Sequence, residues 1–391
     1  MSKIVFFSIP AHGHTNPTLG VVKELVSRGH SVWYYSYNIM KEKILSTGAT
    51  FVSCDDHNLS MEKIDVPRLG KDIVFSTKLL VDCTLAIDDK VSKDMAELRP
   101  DCIVADSMAL WGKAVALKFG IPFVSSTTTF AFNKYSAKIM GQSPVELLKM
   151  LFSIPKTSKD IKRLQGKGYP VKNILDIIGS DESSHTIVYT SPEFQPCSET
   201  FSEKYAFVGP SVRPAAEKIE KVMDKLIYIS MGTVNNALVD FYKTCIAALG
   251  NTDYQVIMSV GKNVSLEAFG DLPKNVSVFS HLDQIGVLEK SDVFVSHCGM
   301  NSVNESLYFE VPLVMFPQTA EQAGVCRRVS QLGAGIQLFK GNEKEILNSI
   351  NAILNDSAYK KNATKIAEGF KNCSGAKGAA DKIIALCNNY K

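Results

Sequence analysis

Apolar runs of roughly four to seven residues alternate with longer amphipathic stretches along nearly the whole chain. The clearest are Ile4–Ile9, Ser31–Tyr35, Cys102–Ala105, Thr186–Tyr189, Leu226–Ile229, Val256–Val260, Val293–Val295 and Leu313–Phe316. Runs without polar alternation fit strands covered on both faces, and strands separated by helices imply right-handed βαβ units. The pattern therefore predicts an α/β fold built on parallel sheets. Turn formers from Phe207 to Pro214, followed by the charged stretch Glu217–Lys225, mark a boundary between domains 1–210 and 211–391. Beyond Glu343 the pattern is helical, and Gly369 and Cys373–Gly378 are expected to divide it into at least three helices. Segments 55–80 and 130–180 carry weaker strand signals and read as insertions that shape a pocket. Leu147, Leu148 and Leu151 within the second form a stripe that reads as core.

Composition narrows the class without changing this picture. Of 391 residues, 45% are hydrophobic and 21% charged, as in ordinary globular proteins. A net charge of +3 is too balanced for a nucleic-acid binder. No apolar run is long enough for a transmembrane segment, and Met1–Phe7 reads as a buried strand rather than a signal peptide. Nine cysteines lie scattered with no C-x-x-C pair, which points to free thiols in a reducing cytoplasm.

Chemistry is suggested first after the opening strand, at Pro10-Ala11-His12-Gly13-His14-Thr15-Asn16-Pro17. Asn16 as N-cap and Pro17 at the first helical position predict a helix beginning there, with Leu19, Val22, Leu25 and Val26 facing inward. His14 then occupies a tight loop at the carboxyl end of a parallel strand, where open α/β sheets bind ligands. A neutral histidine there can take a proton from a hydroxyl; packing or capping of the loop is the alternative. Asp106 ends the run Cys102–Ala105 and can reach the same sheet edge. It can orient the His14 imidazole, or it can cap the helix starting near Met108. Neither a G-x-G-x-x-G fingerprint after the first strand nor a Walker A lysine loop occurs, which disfavours an NAD enzyme or a P-loop NTPase.

The strongest signal lies in the second half, at Val293-Phe294-Val295-Ser296-His297-Cys298-Gly299-Met300-Asn301-Ser302. An apolar strand turns at Gly299 into a helix whose first backbone N–H groups form an anion site. His297 and Ser302 can donate to phosphate oxygens, and Glu305 can accept two ribose hydroxyls. Upstream, Ser230, Gly232 and Thr233 end another strand and suit a second wall of this cradle.

Taken together, His281-Leu282-Asp283-Gln284, the stretch from His297 to Ser302, and Pro317-Gln318-Thr319-Ala320-Glu321-Gln322 resemble the donor-binding signature of UDP-glycosyltransferases. The Pro10–Pro17 stretch resembles the acceptor-side signature of the same family, most closely its bacterial macrolide-type members. The resemblance covers the whole chain. It implies a GT-B fold: two Rossmann-like domains facing a cleft, with the acceptor in the first, the UDP-sugar in the second and the last helix crossing back. Matching motif positions would make His14 the general base and Asp106 its orienting partner. His297, Asn301 and Ser302 would hold the diphosphate, Glu305 the ribose, Glu321 and Gln322 the sugar, and Gln284 the uracil end. His281 stands where the family often has a base-stacking Trp. Trp111, Phe130 and Phe132 are candidate acceptor walls, with Trp111 assigned equally to the core.

The resulting expectation is an inverting hexosyltransferase that moves glucose from UDP-glucose to a hydroxyl of a hydrophobic macrolide, flavonoid or other phenolic. With no Asp-x-Asp in the sequence, no metal and no cofactor are expected, and the protein would be a monomer or weak homodimer. The alternatives are a UDP-sugar epimerase and a non-catalytic helper protein on the same architecture.

Overall fold

The computed structural model describes the chain apart from residues 56–71, 140–143, 180–183, 233–237 and 390–391. Thirteen strands among the described residues form two sheets. The first holds β1 (Lys3–Phe7), β2 (Ser31–Ser36), β3 (Thr50–Ser53), β4 (Cys102–Asp106), β5 (Phe123–Thr127), β6 (His185–Val188) and β7 (Tyr205–Phe207). The second holds β8 (Lys225–Ser230), β9 (Tyr254–Ser259), β10 (Val276–Phe279), β11 (Val293–Ser296), β12 (Leu313–Met315) and β13 (Gly335–Gln337). Every pairing is parallel. All the apolar runs singled out above form strands. β3, β5, β7, β10 and β13 escape the pattern because they are short or carry polar residues, as in Ser125-Ser126-Thr127.

The strand orders, β3-β2-β1-β4-β5-β6-β7 and β10-β9-β8-β11-β12-β13, are the same winding used twice. In such a sheet the crossover direction reverses at the central pair, and a crevice opens at the carboxyl ends of those two strands. The pairs are β1 with β4 and β8 with β11. The candidate segments at His14, Asp106, Ser230 and His297 follow or end one of these strands, whereas His281–Gln284 follows β10 and Pro317–Gln322 follows β12.

Helices cover both faces. The His12–Ser27 helix buries Val21, Val22 and Leu25 against β1 and β2. Gly375–Asn389, the last helix, lies on the first sheet rather than the second, with Ala379, Ala380, Ile383 and Leu386 in one core with Ile4, Phe6 and Val22. Burying Ile383 and Leu386 contributes on the order of 1.5–3 kcal/mol each to holding the chain's end there.

Some local expectations are corrected. The first helix begins at His12 with Ala11 as N-cap, so Pro17 lies inside it and Asn16 caps nothing. Gly369 is internal to Ser357–Lys371, and the earlier break falls at Asp356, whose side chain caps that helix by accepting from the Ala358 N–H. Leu148 and Leu151 are exposed rather than core.

Candidate active site

Because β1 and β4 are neighbours in register, the residue ending β4 lies beside the turn leaving β1. His14 is the third residue of the first helix, and its Nδ1 stands 2.8 Å from Oδ2 of the buried Asp106. The other Asp106 oxygen accepts from the Met108 N–H, also at 2.8 Å. The helix that follows begins only at Trp111, with Leu110 as N-cap and no side-chain cap, so the expected capping is not met and the second oxygen holds a turn instead. Burial pulls the His14 pKa down, but the charge and hydrogen bond of Asp106, helped by Glu321, outweigh it and leave it above the usual 6.5.

Thr128 is a group that the sequence reading missed. It follows β5, and its Oγ1 lies 3.2 Å from His14 Nδ1. The signal was weak, three consecutive threonines at the end of an unrecognised strand. Lys43 was missed as well: its Nζ lies 3.3 Å from His12 Nδ1 and 3.2 Å from Asn16 Oδ1. The His12 pKa is lowered by burial and then by Lys43, His281 and Lys262. Basic groups attached to both sheets therefore meet at the cleft.

In the second sheet, β8 and β11 end side by side at Ser230 and Ser296. His297 follows β11 with its ring between two glycines. A Cβ on Gly232, at φ +82°, would lie 2.5 Å from its Cε1, and one on Gly299 would lie 2.6 Å from its Nε2. Burial drives the imidazole pKa down to about 4, so it is neutral. Its Nδ1 has no hydrogen-bond partner among the described residues. Cys298 between them takes φ +68°, a conformation that costs a non-glycine residue roughly 1–3 kcal/mol. Its thiol is fully buried. Gly299 then serves as N-cap of the Met300–Tyr308 helix, and no side chain caps the first-turn amides.

Gln284 and Ser302 converge on Glu305: the Gln284 Nε2 donates to Glu305 Oε2 at 2.5 Å and lies 3.3 Å from Ser302 Oγ. Burial lifts the Glu305 pKa, against the hydrogen bond from Gln284 and the charge of Arg213. Arg213 itself is paired with Asp283. Glu321 and His281 are exposed, whereas Ser230 is buried at the strand end. Thr233 lies outside the described residues.

Three candidate positions take other roles. Gln322 forms a capping box with Thr319, its Oε1 accepting from the Gln318 and Thr319 N–H groups at 2.8 and 3.2 Å, so that oxygen is not open to a sugar hydroxyl. Phe130, expected as an acceptor wall, is fully buried and packs 5.4 Å from the Phe194 ring. Trp111 is 7% exposed and belongs to the core of the first sheet, the second of its two assignments. Phe132 remains 43% exposed.

Two parallel sheets of one winding, each presenting its reversal point to a shared cleft, define the GT-B class of fold. Comparison with known proteins makes the placement specific. The C-terminal domain model of erythromycin biosynthesis protein CIII-like proteins matches residues 243–386. An uncharacterized UDP-glucosyltransferase, YojK of Bacillus subtilis (strain 168), is 32% identical over 98% of this chain and 97% of its own. The NDP-glycosyltransferase YjiC of Bacillus licheniformis is also 32% identical, with the same coverage. Among solved structures, the calicheamicin glycosyltransferase CalG4 superposes with a TM-score of 0.84 at 26% identity, covering 99% of this chain and 98% of that one. The chain belongs to the UDP-glycosyltransferase family and is a glycosyltransferase of GT-B fold. These relatives are transferases, which favours transfer over epimerisation.

Among the described residues no group of side chains could hold a metal ion, and no helix is long and apolar enough to cross a membrane.

Proposed function

We propose that the chain transfers a hexose, glucose in the first instance, from a UDP-sugar to a hydroxyl of a hydrophobic small molecule such as a macrolide, flavonoid or other phenolic, with inversion and without a metal. The observation that carries this reading is the 2.8 Å contact between His14 and Asp106 at the cleft edge of the first sheet, with the uncapped helix at Gly299 on the other side. Asp106 accepts from Nδ1–H, which leaves Nε2 with a lone pair. That lone pair takes the proton of the acceptor hydroxyl as its oxygen bonds to the anomeric carbon. The bond from that carbon to the UDP oxygen breaks on the opposite face, and UDP departs with the electron pair. The helix N-terminus, His297 and Ser302 receive the charge that develops on the diphosphate. An α-linked donor then gives a β-glycoside.

Glu305 is assigned to the ribose hydroxyls, Gln284 and His281 to the uracil end, and Glu321 to the sugar. Ser230 and Gly232 line the second wall, and Phe132 is retained as an acceptor contact. The names of the relatives support the donor and the acceptor class, as UDP-glucosyltransferase and calicheamicin glycosyltransferase respectively. A reducing cytoplasm is the proposed compartment, supported by nine free thiols.

Incubation with UDP-glucose, UDP-galactose or UDP-N-acetylglucosamine, alone and with phenolic and macrolide acceptors, tests the reading by mass spectrometry. A hexose added to an acceptor is the expected result. A new UDP-sugar formed without acceptor would overturn it in favour of an epimerase.

A further inference from the structure

Pro17 sits inside the first helix, where an ordinary residue would donate its N–H to the carbonyl four positions back. That carbonyl belongs to Gly13, and proline has no N–H to give it. The missing donor comes from the other half of the molecule: Nδ2 of Asn301 lies 2.6 Å from the Gly13 oxygen, 288 residues away in sequence. Space around Gly13 is arranged for this contact. A Cβ there would meet a single neighbour within 4 Å, the same Asn301 Nδ2, at 3.3 Å.

Asn301 is the second residue of the Met300–Tyr308 helix, whose N-terminus the proposed function assigns to the diphosphate. One turn along, the buried Asn304 donates its Nδ2 to the carbonyl of Tyr189 at 3.0 Å, again in the first half of the chain. One short helix thus presents its backbone amides to the cleft and anchors itself on the opposing sheet through two side-chain amides. The first anchor grips the residue directly before His14.

We propose that Asn301 is a positioning residue for the base: its amide fixes the His14 turn through the Gly13 carbonyl, so the helix that receives the diphosphate also sets where the base stands. The proposal rests on the reading of His14 as general base. It departs from the family-derived role of Asn301 as a diphosphate ligand, because one N–H of its amide is already committed to the Gly13 carbonyl.

Three sets of variants test it on the full-length enzyme, with UDP affinity measured by calorimetry beside steady-state kinetics. Asn301→Ala and the near-isosteric Asn301→Asp are expected to lower kcat about tenfold or more, while UDP affinity in Asn301→Ala stays within about threefold. Gly13→Ala, which crowds the same nitrogen, is expected to lower kcat in the wild-type background but to change it less than about twofold on top of Asn301→Ala. Pro17→Ala restores the internal helix donor and is expected to lower kcat several-fold with no loss of thermal stability. The proposal is overturned if Asn301→Ala weakens UDP about tenfold with kcat at saturating donor intact, or if the Gly13 and Asn301 effects multiply independently. Should Asn301→Ala fail to fold, Gly13→Ala and Pro17→Ala still decide: full turnover in both sinks the proposal. Full activity of His14→Ala would instead remove the base reading itself.

Discussion

Asp106→Asn separates the catalytic assignment of Asp106 from a merely structural one. Both carboxylate oxygens are committed, Oδ2 to His14 Nδ1 and Oδ1 to the Met108 N–H, each at 2.8 Å. An amide has only one acceptor oxygen. If that oxygen keeps the Met108 bond, the NH2 group faces Nδ1 and forces the tautomer with its proton on Nε2, where the base needs a lone pair. If the amide flips, two donors face each other at Met108, and the unsatisfied pair costs about 1–3 kcal/mol of stability. The first arrangement avoids that cost, so kcat/KM should fall by roughly two to four orders of magnitude with only a small change in Tm. The pH profile adds a second readout. Wild-type activity requires neutral His14, whose pKa lies above 6.5, so the acid limb of kcat/KM should fall above that pH. Without the carboxylate, burial dominates, and the limb of any residual activity should move to lower pH. Glycoside formation by chromatography, normalised to folded protein by calorimetric UDP titration, provides the assay. Near-normal turnover per folded molecule combined with a lowered Tm would mean that Asp106 serves only to hold the turn at Met108.

Further outcomes follow from the second sheet. Glu305→Ala should weaken UDP about tenfold or more through loss of charge-assisted bonds to the ribose, leaving acceptor KM nearly unchanged; equal affinity for UDP by calorimetry would refute the assignment. The His297 pKa of about 4 lies below the 6.5 of an unfolded histidine, so the unfolded chain takes the proton first as pH falls. Stability of the ligand-free protein should decline between pH 6.5 and 4 by up to about 3 kcal/mol from this group. Denaturant melts across that range should show a shallower decline in His297→Gln, and an unchanged slope would refute the cause. Transfer should also persist in excess EDTA; loss restored by magnesium or manganese would require a metal site.

Both crevices were legible in the sequence because their signals are local. Fully apolar runs such as Val293–Val295 and Cys102–Ala105 demand strands covered on two faces, and a glycine between strand and helix, as at Gly299, marks where the helix begins. The family motifs lie within these local segments, so the class of protein was readable as well. Other features depend on which distant groups meet, and those were decided only by the tertiary structure. Asp106 could be cap or partner until the β1–β4 pairing put one oxygen on His14 and left the other to a turn at Met108, with the next helix starting only at Trp111. Phe130 looked like a pocket wall but lies in the core against Phe194, since an aromatic side chain gives no sign of which surface will cover it. Pro17 suited a helix start by propensity, yet the helix begins five residues earlier. A proline inside a helix leaves one carbonyl without its donor, and that vacancy is tolerable here because Asn301 fills it from the other sheet.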